Sequence, residues 1–123
     1  MTRQRQRLGK AGESLAAEFL KGRGYRILER NYRTPPGEID LVARDGKALV
    51  FVEVKTRRTH SYGSAKTGVT AEKRRRLSLA ALVYLKRTGL MNTSARFDVV
   101  TVDAAMDPPQ IEVVRNAFDI CAP

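Results

Sequence analysis

The sequence predicts one α/β domain in which a mixed β-sheet is flanked by two helices. Three observations predict it. Two stretches repeat apolar residues at helical spacing, five short stretches have the composition of strands, and the second helical stretch separates the third strand from the fourth. The predicted order is therefore α-β-β-β-α-β-β, with the second helix crossing over between two strands. At 123 residues, the chain suits a single domain, residues 1–123.

The boundaries of these elements follow from apolar spacing and from residues that begin or end helices. Apolar residues at helical spacing predict a first helix from Leu8 to about Gly22. Thr70 is a typical N-cap and Gly89 a typical helix end, so a second helix is expected between them, to about Arg87. The predicted strands cover residues 25–33, 38–43, 47–56, 96–103 and 110–116.

Two segments are expected to lie outside this framework. Residues 1–7 are predicted to be a flexible basic arm, and they lack the apolar region of a secretory signal. Residues 57–69 are polar, contain two glycines and have no period, so a mobile loop is expected there. No stretch of 18 apolar residues predicts a membrane span, and we expect a cytoplasmic protein without a membrane partner.

The composition narrows the classes of function. The chain has 23 basic and 13 acidic residues, a formal net charge of +10 at pH 7. Such an excess attracts polyanions, which favours nucleic acid as the partner. General solubility charge, a ribosome-associated role and a role at a lipid surface are the alternatives on charge alone. One cysteine, Cys121, and one histidine, His60, exclude an internal disulfide and a zinc site built from Cys and His.

The dipeptide Asp45-Gly46 predicts a hairpin between the second and third strands. If these two residues form the turn, Asp40 lies opposite Phe51 and Glu38 lies opposite Glu53. A loop of four residues would preserve this register, whereas a loop of three would move every side chain to the other face.

Four charged side chains are then expected on one face, because side chains two positions apart share a face. They are Glu38, Asp40, Glu53 and Lys55. Asp40 and Glu53 would be diagonal neighbours, near enough to reach one ion, and carboxylate oxygens suit Mg²⁺ or Mn²⁺. Lys55 would then orient water or stabilise charge that grows on a phosphate. The alternative is a solvated face of mixed charge, which the apolar run LVFVEV around Glu53 disfavours.

The pattern Asp40…Glu53-x-Lys55 resembles the active-site signature of the PD-(D/E)xK nuclease superfamily. Further segments follow in the order seen in the YraN family, a group of small bacterial proteins similar to archaeal Holliday junction resolvases. These segments are AGESLAAEFLKGRGYRILERNYR, GEIDLVARDG, VFVEVKTRR, EKRRRLSLAALVYL and RFDVV. The resemblance covers about residues 9–103.

This resemblance implies a restriction-endonuclease-like fold and cleavage of phosphodiester bonds that depends on Mg²⁺ or Mn²⁺. Asp40 and Glu53 match the metal-binding acids, and Lys55 matches the catalytic lysine. Glu13 matches an acid on the first helix that often completes the metal site in resolvase relatives. Glu38 has no fixed task in the signature and is an accessory candidate, either touching the metal through water or capping the break after Pro36-Gly37.

The chain departs from the resolvase pattern on the helix that follows the E-x-K strand. Relatives often carry a polar residue there, and Lys73 takes that place or binds phosphate instead. Asp98 has no catalytic counterpart and is expected to serve as a structural hydrogen-bonding residue. The basic residues expected to grip a nucleic-acid backbone are Arg57, Arg58, Lys66, Lys73, Arg74, Arg75 and Arg76.

These observations lead to three hypotheses for function. The first is a metal-dependent endonuclease that acts on DNA more readily than on RNA and selects branched or junction structures, with a homodimer as a suitable assembly. The second is a nucleic-acid-binding protein that does not cleave. The third is a scaffold in a repair or ribosome-associated assembly.

Overall fold

The computed structural model describes residues 3–57 and 69–119, and only the backbone within residues 3–8. Its elements are α1 (Arg3–Gly22), β1 (Arg26–Arg33), β2 (Glu38–Asp45), β3 (Ala48–Arg57), α2 (Ala71–Thr88), β4 (Ala95–Asp103) and β5 (Gln110–Phe118). This arrangement confirms the predicted α/β class and the order α-β-β-β-α-β-β. The strands form one mixed sheet in chain order, in which β3 and β4 are parallel and the other neighbours are antiparallel.

The first helix begins earlier than predicted. It starts at Arg3 instead of Leu8, so that residues 3–7 of the expected arm continue the helix. Arginine and glutamine are good helix formers, which explains a helical start that apolar spacing could not reveal. The end at Gly22 agrees with the prediction, and Gly24 then takes a left-handed conformation at φ +91°.

Most of the expected loop over residues 57–69 lies outside the described residues, since these exclude 58–68. Its first residue, Arg57, is the last residue of β3, and its last residue, Val69, is buried. Four residues that the sequence singled out lie outside the described residues: Arg58, His60, Lys66 and Cys121.

The second helix has the ends that its sequence predicts. The hydroxyl of Thr70 accepts a hydrogen bond from the Lys73 backbone N–H at 3.2 Å, and Gly89 closes the helix with φ +72°. Leu77, Ala81 and Tyr84 are buried on the face that meets the sheet. Neither helix in the described ranges is both long and apolar enough to span a membrane.

The sheet carries an apolar core on each face. On the α1 side, Leu20 packs in one cluster with Val50 and Val52. On the α2 side, Leu49 and Phe51 belong to a second cluster. Successive side chains of β3 therefore enter opposite cores, which explains why this strand is apolar on both faces and confirms it as a central strand.

The hairpin turn lies one residue later than predicted. Asp45 pairs with Ala48, so the turn residues are Gly46 and Lys47. Gly46 has φ +60°, which a type II′ turn requires at its first central position and which glycine adopts without strain. The new register moves each pair by two residues, so that Val42 lies opposite Phe51, and it leaves the paired residues 41–45 and 48–52 on their predicted faces.

The strands β2 and β3 separate before the charged end of the hairpin. Their ladder ends at the pair Leu41–Val52, while β2 continues to pair with β1 as far as Glu38. Beyond the ladder, the backbone N–H of Val54 donates to Oδ2 of Asp40 at 2.8 Å. The Asp40 side chain thus takes the place of a strand carbonyl, and it lies beside β3 at the level of Glu53.

The predicted placement of Glu38 opposite Glu53 is therefore wrong. Ile39 and Val42 both belong to the core on the α2 side, so the strict alternation of faces fails between them. There are two reasons. The later turn moves each pair by two residues, and β2 then follows β1 and leaves β3, so that a register counted from the turn cannot be extended through the break.

Asp98 anchors the side of the sheet that faces α1. It is fully buried and accepts hydrogen bonds from the Tyr25 hydroxyl (2.9 Å), from Nε of Arg96 (2.9 Å) and from the backbone N–H of Asn116 (3.0 Å). Arg96 also donates to Asp45 at 2.7 Å. These contacts match the structural hydrogen-bonding role expected for Asp98, because its buried charge is paired.

Replacing Asp98 by alanine tests this role. Asp98→Ala leaves Arg96 with less charge compensation and removes acceptors from buried donors, so we expect the free energy of unfolding to fall by about 3 kcal/mol or more. Glu112→Ala, on the neighbouring β5 and exposed, serves as the control and should change it by less than about 0.5 kcal/mol. Urea unfolding that gives equal values for the two variants would contradict the role.

Candidate active site

The candidate site is built on two carboxyl groups that meet where β2 leaves β3. Glu53 continues the buried central strand and is only 4 % exposed. Asp40 is held beside it by the N–H of Val54, and the two carboxyl groups share a hydrogen bond. The sequence predicted these residues as diagonal neighbours on one face, whereas the structure brings them into direct contact.

The electrostatics of this pair depart from those of ordinary surface acids. Burial, and then the negative charge of Glu53, raise the pKa of Asp40 from 3.8 to about 8, although the hydrogen bond from Val54 acts in the opposite direction. Two adjacent carboxylates in a poorly solvated place cannot both ionise cheaply. The pair therefore retains a proton near neutral pH unless a cation stabilises its negative form.

One cation already approaches the pair from the first turn of α2. Nζ of Lys73 forms an ion pair with Oε2 of Glu53. Burial lowers the pKa of Lys73, but the hydrogen bond and charge of Glu53 and the charge of Asp40 together raise it above its usual value. The sequence offered Lys73 as a phosphate-binding residue or as a replacement for a polar residue, and the structure brings it to the two acids.

Lys55 lies two residues beyond Glu53 on the same strand and is half-buried. Burial lowers its pKa, the positive charges of Lys73 and Arg57 lower it further, and the negative charge of Glu53 acts against them. Lys55 therefore belongs to the same electrostatic cluster as the acids, although the cavity described below is lined by other residues of β3.

Glu13 of α1 lies on the other side of the acids. Burial raises its pKa, a hydrogen bond with the Asn31 side chain lowers it, and the charges of Glu38 and Glu53 raise it. Within residues 3–57 and 69–119, no group of three Asp, Glu, His or Cys side chains is arranged to hold a metal ion. Glu13 as a third metal ligand therefore stays a prediction.

Asn31 is a residue of this region that the sequence did not reveal. It lies in β1 between the pairs Arg30–Leu41 and Tyr32–Ile39 and has φ +53°. Asparagine tolerates this left-handed conformation better than most residues. A single asparagine within a strand forms no recognisable motif, so nothing in the sequence pattern connects Asn31 with Glu13.

Glu38 remains at the margin of the site. It is exposed, lines the cavity and lies 3.8 Å from Nε of Arg33. The break before β2 is closed by Thr34 instead, whose hydroxyl donates to the carbonyl of Gly37 at 2.6 Å. Of the two tasks expected for Glu38, capping this break therefore belongs to Thr34.

The acids lie in a cavity of about 770 Å³ between the two helices and the separating strands. Two glycines let its walls approach closely. A Cβ at Gly12 would overlap with Oγ1 of Thr56, and one at Gly37 would lie 3.1 Å from the carbonyl oxygen of Arg76. The charged residues that line it are Glu13, Glu38, Asp40, Glu53, Glu72, Lys73 and Arg76.

Comparison with known proteins assigns the family. A family model described as "Uncharacterised protein family UPF0102" matches residues 12–102. The chain belongs to UPF0102. This assignment confirms the resemblance to the nuclease-like YraN group.

Several relatives carry the same description along nearly their whole length. A UPF0102 protein of Desulfosudis oleivorans is 53 % identical over 119 residues, which cover 97 % of this chain and 95 % of the relative. A UPF0102 protein of Geobacter sulfurreducens is 52 % identical, and the match covers 92 % of this chain and 89 % of the relative. A UPF0102 protein of Symbiobacterium thermophilum is also 52 % identical, and the match covers 91 % of this chain and 96 % of the relative.

Among solved structures, the chain is similar to one titled as Pyrococcus furiosus SfsA in complex with Ca²⁺. The match has a TM-score of 0.39 and 15 % identity, and it covers 89 % of this chain and 62 % of that one.

The basic residues expected to bind nucleic acid differ in their surroundings in the UPF0102 chain. Arg75 is exposed, and Arg76 is exposed and paired with Glu72 at 3.0 Å. Arg74 is half-buried, and its Nε is buried without a hydrogen-bond partner among the described residues. Arg57 is half-buried at the end of β3. Arg75 and Arg76 are therefore the best placed of the four to meet a partner in solvent.

Removing the charge of Asp40 tests the electrostatics of the pair. Because the pKa of Asp40 in the folded protein lies above its ordinary value of 3.8, the folded chain holds a proton that the unfolded chain has lost. Stability is therefore lost as pH rises from about 4 to about 8. In the presence of a chelator, Asp40→Asn should exceed the parent protein in unfolding free energy at pH 8, by on the order of 2 kcal/mol.

The matching measurement is urea unfolding at pH 5 and pH 8, where the difference between Asp40→Asn and the parent should grow with pH. Glu18→Gln, an exposed acid on α1, should leave the stability within about 0.5 kcal/mol at both values. A variant that is less stable than the parent at pH 8 would contradict the raised pKa.

Proposed function

We propose that this UPF0102 protein is a metal-dependent endonuclease of the cytoplasm that hydrolyses phosphodiester bonds in nucleic acid, in DNA more readily than in RNA. The observation that carries the proposal is the direct contact of the buried carboxyl group of Glu53 with that of the half-buried Asp40, in a cavity next to basic side chains. Such a pair is unfavourable for folding alone, so a function that uses it is the simplest explanation.

The chemistry of these residues fits a hard divalent cation. Mg²⁺ and Mn²⁺ prefer oxygen ligands, and Mg²⁺ is usually held by one or two protein carboxylates with water in the remaining positions. Asp40 and Glu53 would hold the ion, Glu13 would complete its ligands, and Glu38 would contact it through water. When bound, the ion would supply Lewis-acid activation of water and would stabilise negative charge on the phosphate.

The chain's own residues would carry the other tasks. Lys55 would stabilise the charge that grows on the phosphate, and its half-buried position strengthens such an interaction because less water screens it. The exposed guanidinium groups of Arg75 and Arg76 would bind backbone phosphates, with Lys73, Arg74 and Arg57 in support.

The substrate class follows from the kind of contact these residues can make. Contacts to phosphates position a nucleic acid without reading its bases. We therefore infer selection by structure, such as a branch or a junction, in preference to selection by sequence. A homodimer would suit a substrate in which two strands are cut.

One observation favours a second function, that of a nucleic-acid-binding protein or scaffold without cleavage. The ion pair between Lys73 and Glu53 gives the acids a counter-charge without any metal. A cluster that is neutralised in this way could persist for stability alone, in which case the basic residues would bind nucleic acid and no bond would be broken.

Cleavage assays separate the two functions. The protein would be incubated with branched, single-stranded and duplex DNA, and with RNA, in Mg²⁺ or Mn²⁺. Asp40→Ala and Lys55→Ala should each lower the cleavage rate by about 100-fold or more, because Asp40 would hold the metal ion and Lys55 would stabilise the charge that grows on the phosphate. Lys47→Ala, which alters an exposed lysine in the hairpin turn, is the matched control and should keep the parent rate.

Cleavage that persists unchanged in Asp40→Ala and Lys55→Ala would indicate a contaminating nuclease and would remove the support for the proposal. Calorimetry supplies a readout without turnover, since Mn²⁺ binding should be lost in Asp40→Ala and in Glu53→Gln. Nucleic-acid binding without cleavage, and without metal binding by the parent protein, would favour the second function.

A further inference from the structure

We propose that Lys73 is a displaceable counter-ion, which pairs with Glu53 when no divalent cation is bound and with a phosphate of the nucleic acid when one is. This inference rests on the proposed function and adds a residue that links metal binding to substrate binding. It gives Lys73 two alternative partners, whereas the sequence suggested only one of them.

The two members of the ion pair differ in their freedom to move. Glu53 lies in the central strand, where it pairs with Val99 of β4, and its side chain is 5 % exposed. The side chain of Lys73 is 48 % exposed and projects from the first turn of α2. A lysine has a flexible four-carbon stem, so the ammonium group can leave while the carboxylate stays.

The charges around the acids explain why a metal would release Lys73. Without a metal, the ammonium of Lys73 compensates the negative charge of Glu53 and Asp40. Lys55 lies close enough for the charge of Lys73 to lower its pKa, so two cations already repel each other there. A divalent cation on the same carboxylates would remove the attraction and add to the repulsion. The more exposed of the two lysines would then move.

The released ammonium would remain at the cavity, near the place where a phosphate would be held. Arg76 lies three residues further along α2, which puts it on the same side of the helix as Lys73, and both residues line the cavity. Arg76 is paired with Glu72 and not with the buried acids. It is therefore a matched control, a cation in the same cavity without the contact to Glu53.

The first test is the affinity for Mn²⁺ alone, measured by calorimetry. Lys73→Gln removes the competing cation, so the variant should bind Mn²⁺ about fivefold more tightly or better, a typical size for coupling between two ligands. Lys73→Met should behave in the same way. Arg76→Gln should keep the parent affinity. Circular dichroism and thermal unfolding of each variant confirm that the protein compared is folded.

The second test is the salt dependence of binding to a phosphorothioate DNA junction, which resists cleavage. In a chelator, Lys73→Gln should give the parent slope of log affinity against log salt concentration. In Mn²⁺ the slope should be smaller by about 0.9, which corresponds to one phosphate contact. Arg76→Gln should reduce the slope in both conditions, because its contact does not depend on the metal.

The outcomes distinguish this inference from the proposed function. If the parent binds Mn²⁺ and Lys73→Gln binds it equally or more weakly, Lys73 is not a competitor and the inference fails while the nuclease proposal stands. If Lys73→Gln binds Mn²⁺ more tightly but the parent cleaves no substrate, the inference stands and the nuclease proposal fails. If neither protein binds Mn²⁺, both fail.

Discussion

The contact between the carboxyl groups of Asp40 and Glu53 is the constraint on which the rest of the site depends. It exists because β2 pairs with β3 only from Leu41 onward, whereas its earlier residues follow β1. The Asp40 side chain therefore accepts a hydrogen bond from the N–H of Val54, in place of a strand carbonyl. The break that weakens the sheet also creates the space for the cavity. An acid on a continuous ladder would face a core or solvent, and it could not lie in the plane between two strands.

The surrounding elements reduce the cost of this contact without removing it. Lys73 supplies one positive charge from a helix whose start is set by Thr70. One ammonium group faces two carboxyl groups, so the raised pKa of Asp40 persists. Because one ammonium group does not neutralise two carboxylates, this cluster differs from an ordinary buried ion pair, and a further cation would stabilise it.

The other buried acid of the sheet shows the contrast. Asp98 is fully buried, yet Arg96, the Tyr25 hydroxyl and a backbone N–H satisfy its oxygens. Asp98 and Glu53 lie on adjacent strands only one level apart, since Glu53 pairs with Val99. Burial is therefore not the property that separates a structural acid from a candidate catalytic one. The two kinds of acid differ in how many hydrogen-bond donors satisfy the carboxylate.

The sequence by itself determined the class of fold, the element order, the two ends of α2 and the identity of the central strand, because these depend on apolar spacing and on local capping and turn chemistry. It also brought Asp40, Glu53 and Lys55 into one hypothesis. The tertiary structure decided the direct contact of the two acids and the pairing of Lys73 with Glu53. Both contacts join elements that are distant in the chain or separated by a break in register, and local patterns hold no information about where a strand leaves its neighbour.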